Sequence, residues 1–128
     1  MVGIVIVSHS FGVGRELIKF CQELKNYDFP LINASGLEEN ILGTNPLEIS
    51  KAIEAADQGD GVIVLCDLGS AVMSSEMALE LLEGEHKVTI ADAPLVEGAI
   101  IGSTSNSPNL SLKELYEEIL EAKTTPKF

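Results

Sequence analysis

The chain has 128 residues, 45% of them apolar but only 5% aromatic, with no tryptophan. That is the size of one compact domain with one core, and the composition suits a core of Val, Ile, Leu and Ala drawn from alternating strands and helices. Twenty Asp and Glu against eight Lys and Arg give a formal charge of −12, which repels nucleic acid and anionic lipid, so any phosphoryl chemistry needs a local site or a basic protein partner.

The first element in the chain is the run Val2 to Ser8, β-branched and apolar throughout, as a strand buried on both faces should be. It is too short to span a membrane and lacks the basic start and cleavage signal of a secretory leader, so a soluble, cytoplasmic protein is expected. Helical spacing follows from Val13 to Lys25, with Leu17, Cys21 and Leu24 on one face and Ile18 widening it. Pro30 to Ala34 reads as a short second strand. Asn45-Pro46-Leu47-Glu48 combines an N-cap residue, a proline suited to the first helical position and a Glu able to close a capping box. The helix it opens should end near Asp57, before Gly59 and Gly61.

Gly61 to Cys66 is the third strand. The helix after it, about Ser70 to Leu82, carries Val72, Met73, Met77, Leu81 and Leu82 and is stopped by Gly84; Met73 and Met77 are expected in the core first and as partner contacts second. Lys87 to Ala91 is the fourth strand. Pro94 to Ser103 is weakly patterned and could be helical, although it contains Gly98 and Gly102. Ser111-Leu112-Lys113-Glu114 is a second capping box, and Leu112, Leu115, Ile119 and Leu120 give the last helix an apolar stripe. Residues 1–123 therefore read as one domain, with a tail at 124–128 expected to fray. Cys21 and Cys66 lack the paired spacing of a zinc or redox site and read as buried free thiols.

Strands alternating with helices call for right-handed crossovers and a parallel sheet covered on both faces. The predicted fold class is α/β, a flavodoxin-like open, mainly parallel sheet of order 2-1-3-4. In that order strands one and three are neighbours at the switch point, and their carboxyl ends open a crevice where ligands bind.

His9 directly follows the first strand and Asp67 directly follows the third. A carboxylate that accepts a hydrogen bond from one ring nitrogen fixes the tautomer and leaves the other nitrogen as a nucleophile, the arrangement a phosphohistidine requires. Small donors surround the pair: Ser8, Ser10, Gly12 and Gly14 after strand one, and Gly69, Ser70 and Ala71 after strand three. Both loops open helices whose first-turn N–H groups can hold a phosphoryl oxygen. Phosphoryl transfer rests mainly on positioning and charge stabilisation, so no metal is required.

Each feature also has a plainer explanation. A lone histidine at a strand end is often a loop residue, and an Asp before a helix is often a cap; their coincidence at the switch point favours the joint reading. Arg15 either contacts phosphate or a partner, or pairs with Glu16 along the helix. Thr44 either bonds a phosphoryl group or simply enters the second helix, and Asp92, which also falls at the carboxyl edge, is read as doing no more than starting a turn. His86 lies at the opposite, amino edge between Glu85 and Lys87, where it reads as one more solvated polar residue. A P-loop is excluded by the absence of its lysine, and a flavin finds few aromatic side chains to stack on.

Taken together, Gly3-Ile4-Val5-Ile6-Val7-Ser8-His9-Ser10, Leu42-Gly43-Thr44, Asp67-Leu68-Gly69-Ser70-Ala71 and Asp92-Ala93-Pro94-Leu95-Val96-Glu97-Gly98-Ala99 resemble the DhaM family. These are phosphotransferase subunits of bacterial phosphoenolpyruvate-dependent dihydroxyacetone (glycerone) kinases, related to the mannose-type IIA domains of the sugar phosphotransferase system. The resemblance covers nearly the whole chain. It implies that His9 is phosphorylated by HPr and passes the group to ADP held on the DhaL subunit, which with DhaK phosphorylates dihydroxyacetone. The nucleotide would be a coenzyme of that partner, and this chain would bind none itself. The resemblance further implies a homodimer and Asp67 against the active histidine; from the residues themselves, the phosphate contacts are expected among Ser10, Gly12, Thr44, Gly69 and Ser70. Some relatives append HPr-like and enzyme-I-like domains, whereas this chain ends soon after its last helix, so a separate HPr is the expected donor. The alternatives are a IIA domain feeding a sugar permease and a non-catalytic module that binds FMN, an anion or a regulator.

Overall fold

The computed structural model describes all 128 residues. Four strands, β1 (Gly3–Val7), β2 (Leu31–Asn33), β3 (Val62–Cys66) and β4 (Val88–Ile90), alternate with α1 (Phe11–Leu24), α2 (Pro46–Ala56), α3 (Gly69–Glu80) and α4 (Leu95–Ser105), and α5 (Leu112–Leu120) follows. The sheet is wholly parallel in the order β2-β1-β3-β4, as the α/β reading predicts. No helix is long and apolar enough to cross a membrane.

Every residue of β1 and β3 is buried, and successive side chains point to opposite faces. Ile4, Ile6, Ile63 and Leu65 pack with Leu17 and Cys21 of α1, Leu95 and Ala99 of α4, and Leu115 and Ile119 of α5. Val5, Val7, Val62, Val64 and Cys66 pack with Ile49, Ala52, Ile53 and Ala56 of α2 and Ala71 and Ala78 of α3. Burying one such aliphatic side chain stabilises the fold by roughly 1.5–3 kcal/mol, so the two central strands anchor both layers. Both cysteines are free and buried, and burial raises both thiols above their ordinary pKa.

The helix ends follow their local chemistry. Asn45 caps α2, its side chain accepting the Leu47 N–H with Pro46 in the first turn, and Ser111 with Glu114 forms the complete capping box of α5. The segment holding Gly98 and Gly102 is a full helix, because those glycines let α4 lie close to its neighbours. A Cβ on Gly102 would stand 3.1 Å from both Ile4 and Ile119, and one on Gly98 would stand 3.0 Å from Leu65.

The α3 stripe departs from expectation. Met73 and Met77 are 66% and 57% exposed, and Leu81 is also on the surface. The buried face of α3 consists instead of Ala71, Ser75 and Ala78. Small residues, not the methionines, bring this helix onto the sheet; the Ser75 hydroxyl is satisfied by donating to the Ala71 carbonyl at 2.8 Å.

Candidate active site

Strand register assembles the site. Val7 is level with Cys66 in the β1–β3 ladder, so the residues after them leave the sheet side by side, and the Asp67 N–H donates to the Val7 carbonyl at 3.2 Å. His9 Nδ1 then lies 2.8 Å from Asp67 Oδ1. The Leu68 N–H also donates to Oδ1, at 2.7 Å, while Oδ2 accepts the His9 N–H at 2.9 Å and the Ser8 hydroxyl at 3.0 Å. Burial pushes the Asp67 carboxyl up, but the bonds from the His9 backbone, the His9 ring, Ser8 and Leu68 outweigh it and hold it below the ordinary carboxylate range. The carboxylate also stands just ahead of α3, where the helix dipole favours negative charge.

An ionised carboxylate only accepts, so Nδ1 carries the proton in the neutral ring and the Nε2 lone pair faces away from Asp67. Nε2 is 2.6 Å from Ser70 Oγ, in the first turn of α3. A hydroxyl can donate there, or rotate away when another group takes its place.

The other histidine makes an instructive contrast. His86 Nδ1 is 2.7 Å from Asp57 Oδ2 and its Nε2 is 2.9 Å from the Glu83 carbonyl oxygen. Both nitrogens face acceptors, so the doubly protonated ring satisfies both partners and has no lone pair to offer. The bond to Asp57, then that to Glu83, raises the His86 pKa, while burial acting on Asp57 is outweighed by His86, Gly59 and Gly61, which lower it. His86 does lie away from the crevice, but it is more than a solvated residue: it ties the turn before β4 to the end of α2.

The remaining predicted residues divide by how their polar groups are used. The N–H groups of Gly12, Gly69 and Ser70, in the first turns of α1 and α3, are left without a backbone partner by the helical pattern. Ser10 is more committed: its N–H goes to Ser8 Oγ at 3.1 Å and its own oxygen caps α1 by accepting the Val13 N–H at 3.3 Å. Thr44 lies in a loop fastened over the site by the Gly43 N–H to the His9 carbonyl at 2.9 Å, and its hydroxyl is paired at 2.6 Å with Ser74 of α3. Arg15 meets Glu16 at 3.4 Å and Glu39 at 3.7 Å, and helps to line a cleft of roughly 300 Å³ with Ser10, Gly12 and Leu42. Gly14 is not in a phosphate cradle; it is buried in the body of α1 against Asn33 and Ser35.

Sequence reasoning passed over the support beneath His9. Ser35 Oγ accepts the Ser8 N–H at 2.8 Å and donates to the Ile6 carbonyl at 3.3 Å, and Asn33 Oδ1 accepts the Ser35 N–H at 3.1 Å. The signal was available: β2 neighbours β1 in the predicted order, so polar residues just past β2 must lie beside the His9 loop.

The doubly wound sheet and its switch-point histidine place the chain in a recognisable class. A family model described as the PTS system fructose IIA component, EIIA-man, matches residues 3–120, and the chain belongs to that family. The "PEP-dependent dihydroxyacetone kinase 2, phosphoryl donor subunit DhaM" of Listeria innocua is 37% identical over 121 residues, covering 93% of this chain and 97% of the relative. The "PTS-dependent dihydroxyacetone kinase, phosphotransferase subunit DhaM" of Lactococcus lactis is 34% identical, covering 91% and 92%. The Escherichia coli DhaM is 35% identical across 95% of this chain, which spans only 27% of that longer protein. Among solved structures, a protein of unknown function superposes with a TM-score of 0.80 at 31% identity, covering 95% of both chains. A phosphotransferase system component EIIA from Streptococcus agalactiae, at TM-score 0.69 and 15% identity over 95% of this chain and 92% of that one, shares the fold.

Proposed function

We propose that this chain is the phosphoryl donor subunit of a dihydroxyacetone kinase, receiving its phosphoryl group from phosphorylated HPr on His9 and delivering it to ADP on a DhaL subunit. The observation that carries this is the His9 ring, anchored at Nδ1 by Asp67 and presenting Nε2 at the start of α3. In the first step Nε2 attacks the phosphorus of the donor's phosphohistidine; the new P–Nε2 bond forms as the donor's P–N bond breaks, and the proton stays on Nδ1 facing Asp67. Gly12, Gly69 and Ser70 offer N–H groups to the phosphoryl oxygens, with hydroxyls from Ser10, Thr44 and Ser70 at the rim. In the second step a β-phosphate oxygen of ADP attacks the same phosphorus, the P–Nε2 bond breaks, and ATP forms on the partner. The names of the DhaM relatives support the choice of pathway. The reading includes a cytoplasmic homodimer whose acidic surface selects basic partners, with no bound metal or nucleotide of its own.

A IIA domain feeding a sugar permease uses the same chemistry with a different acceptor. Phosphoenolpyruvate, enzyme I, HPr, DhaK, DhaL and ADP should phosphorylate dihydroxyacetone only when this chain is added, and not with His9→Ala. Failure of that reconstitution, together with rapid labelling of a mannose-type IIB protein, would favour the permease reading.

A further inference from the structure

We propose that Ser8 is a positioning residue of the histidine site, its hydroxyl holding the Asp67 carboxylate in place and so keeping the His9 ring proton on Nδ1. This rests on the phosphocarrier reading for its consequence, but not for its geometry.

Ser8 is 2% exposed, and each of its polar groups is committed. Its N–H donates to Ser35 Oγ at 2.8 Å, and its carbonyl accepts the Gly36 N–H at 3.0 Å. Its hydroxyl lies 3.0 Å from Asp67 Oδ2 and 3.1 Å from the Ser10 nitrogen. An ionised carboxylate can only accept and an amide can only donate, so the direction is fixed: the Ser10 N–H gives to Ser8 Oγ, and Ser8 O–H gives to Asp67. The same hydroxyl therefore links the capping residue of α1 to the carboxylate preceding α3, joining the two helix starts that flank His9.

The carboxylate has four donors: Ser8, the His9 N–H, the His9 ring and Leu68. Two are backbone groups fixed by the fold, and the ring is the group to be oriented. Ser8 is the one side chain besides the ring that restrains Asp67, and it holds the oxygen opposite the one bonded to the ring. The Ser35 bonds clamp Ser8 from behind, so the hydroxyl acts from a rigid base.

The test compares wild type, Ser8→Ala and Ser8→Thr by ring ¹⁵N NMR, by titration of the Asp67 carboxyl carbon, and by the rate of phosphoryl acceptance from phosphorylated HPr. Wild type should show the Nδ1–H tautomer. Ser8→Ala should show a mixture of tautomers, titrate Asp67 at higher pH, and accept phosphate on the order of tenfold more slowly, as the loss of one hydrogen bond to a charged group implies. Ser8→Thr, which keeps the hydroxyl, should restore the tautomer and most of the rate. A merely structural serine would lower the melting temperature of Ser8→Ala and leave the tautomer and the Asp67 titration where they are; that result overturns the proposal. If wild type accepts no phosphate, the carrier reading falls, while the tautomer and titration still decide the role of Ser8.

Discussion

Gly14→Ala sets two principles against each other, and the structure decides between them. Replacing a glycine inside a helix by alanine ordinarily stabilises by about 1 kcal/mol. Here the new Cβ would stand 2.8 Å from Ser35 Cβ and closer still to Asn33 Oδ1 and Ser35 Oγ, atoms that belong to the buried support under the site. Real side chains do not approach so closely, so Asn33 and Ser35 must shift. Their shift loosens the Ser8 N–H to Ser35 bond and the Asn33 bond to the Phe11 carbonyl at 3.2 Å. Overpacking costs about 1–3 kcal/mol, and a buried amide left unpaired costs about 1–3 kcal/mol more. After the helix-propensity gain, a net destabilisation of roughly 1–5 kcal/mol is expected, equivalent to a fall in melting temperature of about 4–20 °C for a domain of this size. Differential scanning calorimetry measures it. Gly12→Ala is the control: it is also in α1 and its Cβ would have nothing nearer than 3.8 Å, so the helix-propensity gain of up to about 1 kcal/mol should stand uncancelled. Equal or greater stability of Gly14→Ala would refute the packing argument.

Three further outcomes follow from the geometry. Asp67→Ala should slow phosphoryl acceptance on the order of tenfold to a hundredfold, as losing the partner that orients a reactive histidine implies, while leaving measurable transfer, whereas His9→Ala should abolish it; quench-flow labelling separates them, and a fully active Asp67→Ala would remove Asp67 from the mechanism. For the His86–Asp57 pair, the raised histidine pKa supplies stability that is complete below its unfolded value near 6.5 and lost as pH rises through the folded value. The lowered Asp57 pKa supplies stability present above its unfolded value and lost as pH falls through the folded one. Urea unfolding of wild type minus His86→Gln should therefore show a difference greatest near pH 5–6 and shrinking toward pH 9; a difference independent of pH would contradict the ionic pairing. The double substitution Met73→Ser with Met77→Ser should change stability by less than about 1 kcal/mol, against the roughly 4 kcal/mol or more expected if both were in the core, as chemical denaturation will show.

The sheet was legible because β1 and β3 are buried on both faces and read as unbroken apolar runs, and because alternation with helices leaves few topologies open. The meeting of His9 and Asp67 followed from that order alone, since strands one and three had to be adjacent. The methionines of α3 misled because helical spacing identifies a stripe but not the direction it faces; Ala71, Ser75 and Ala78 form an equally regular stripe, and close approach to the sheet selected the smaller one. Gly98 and Gly102 obscured α4 for a related reason, as low helix propensity was outweighed by packing against Ile4, Leu65 and Ile119. The His86–Asp57 and Ser8–Asp67 bonds join residues 29 and 59 positions apart, and the former depends on how loops fold back at the amino edge, which no local pattern encodes.

The most direct test of the central claim is intact mass, followed by ¹⁵N NMR of the ring, after incubation with phosphoenolpyruvate, enzyme I and HPr. The account predicts one acid-labile phosphoryl group per chain, on Nε2 of His9, absent from His9→Ala and discharged by ADP-loaded DhaL. A protein that stays unphosphorylated beside fully phosphorylated HPr, or one that is labelled equally well without His9, would contradict it.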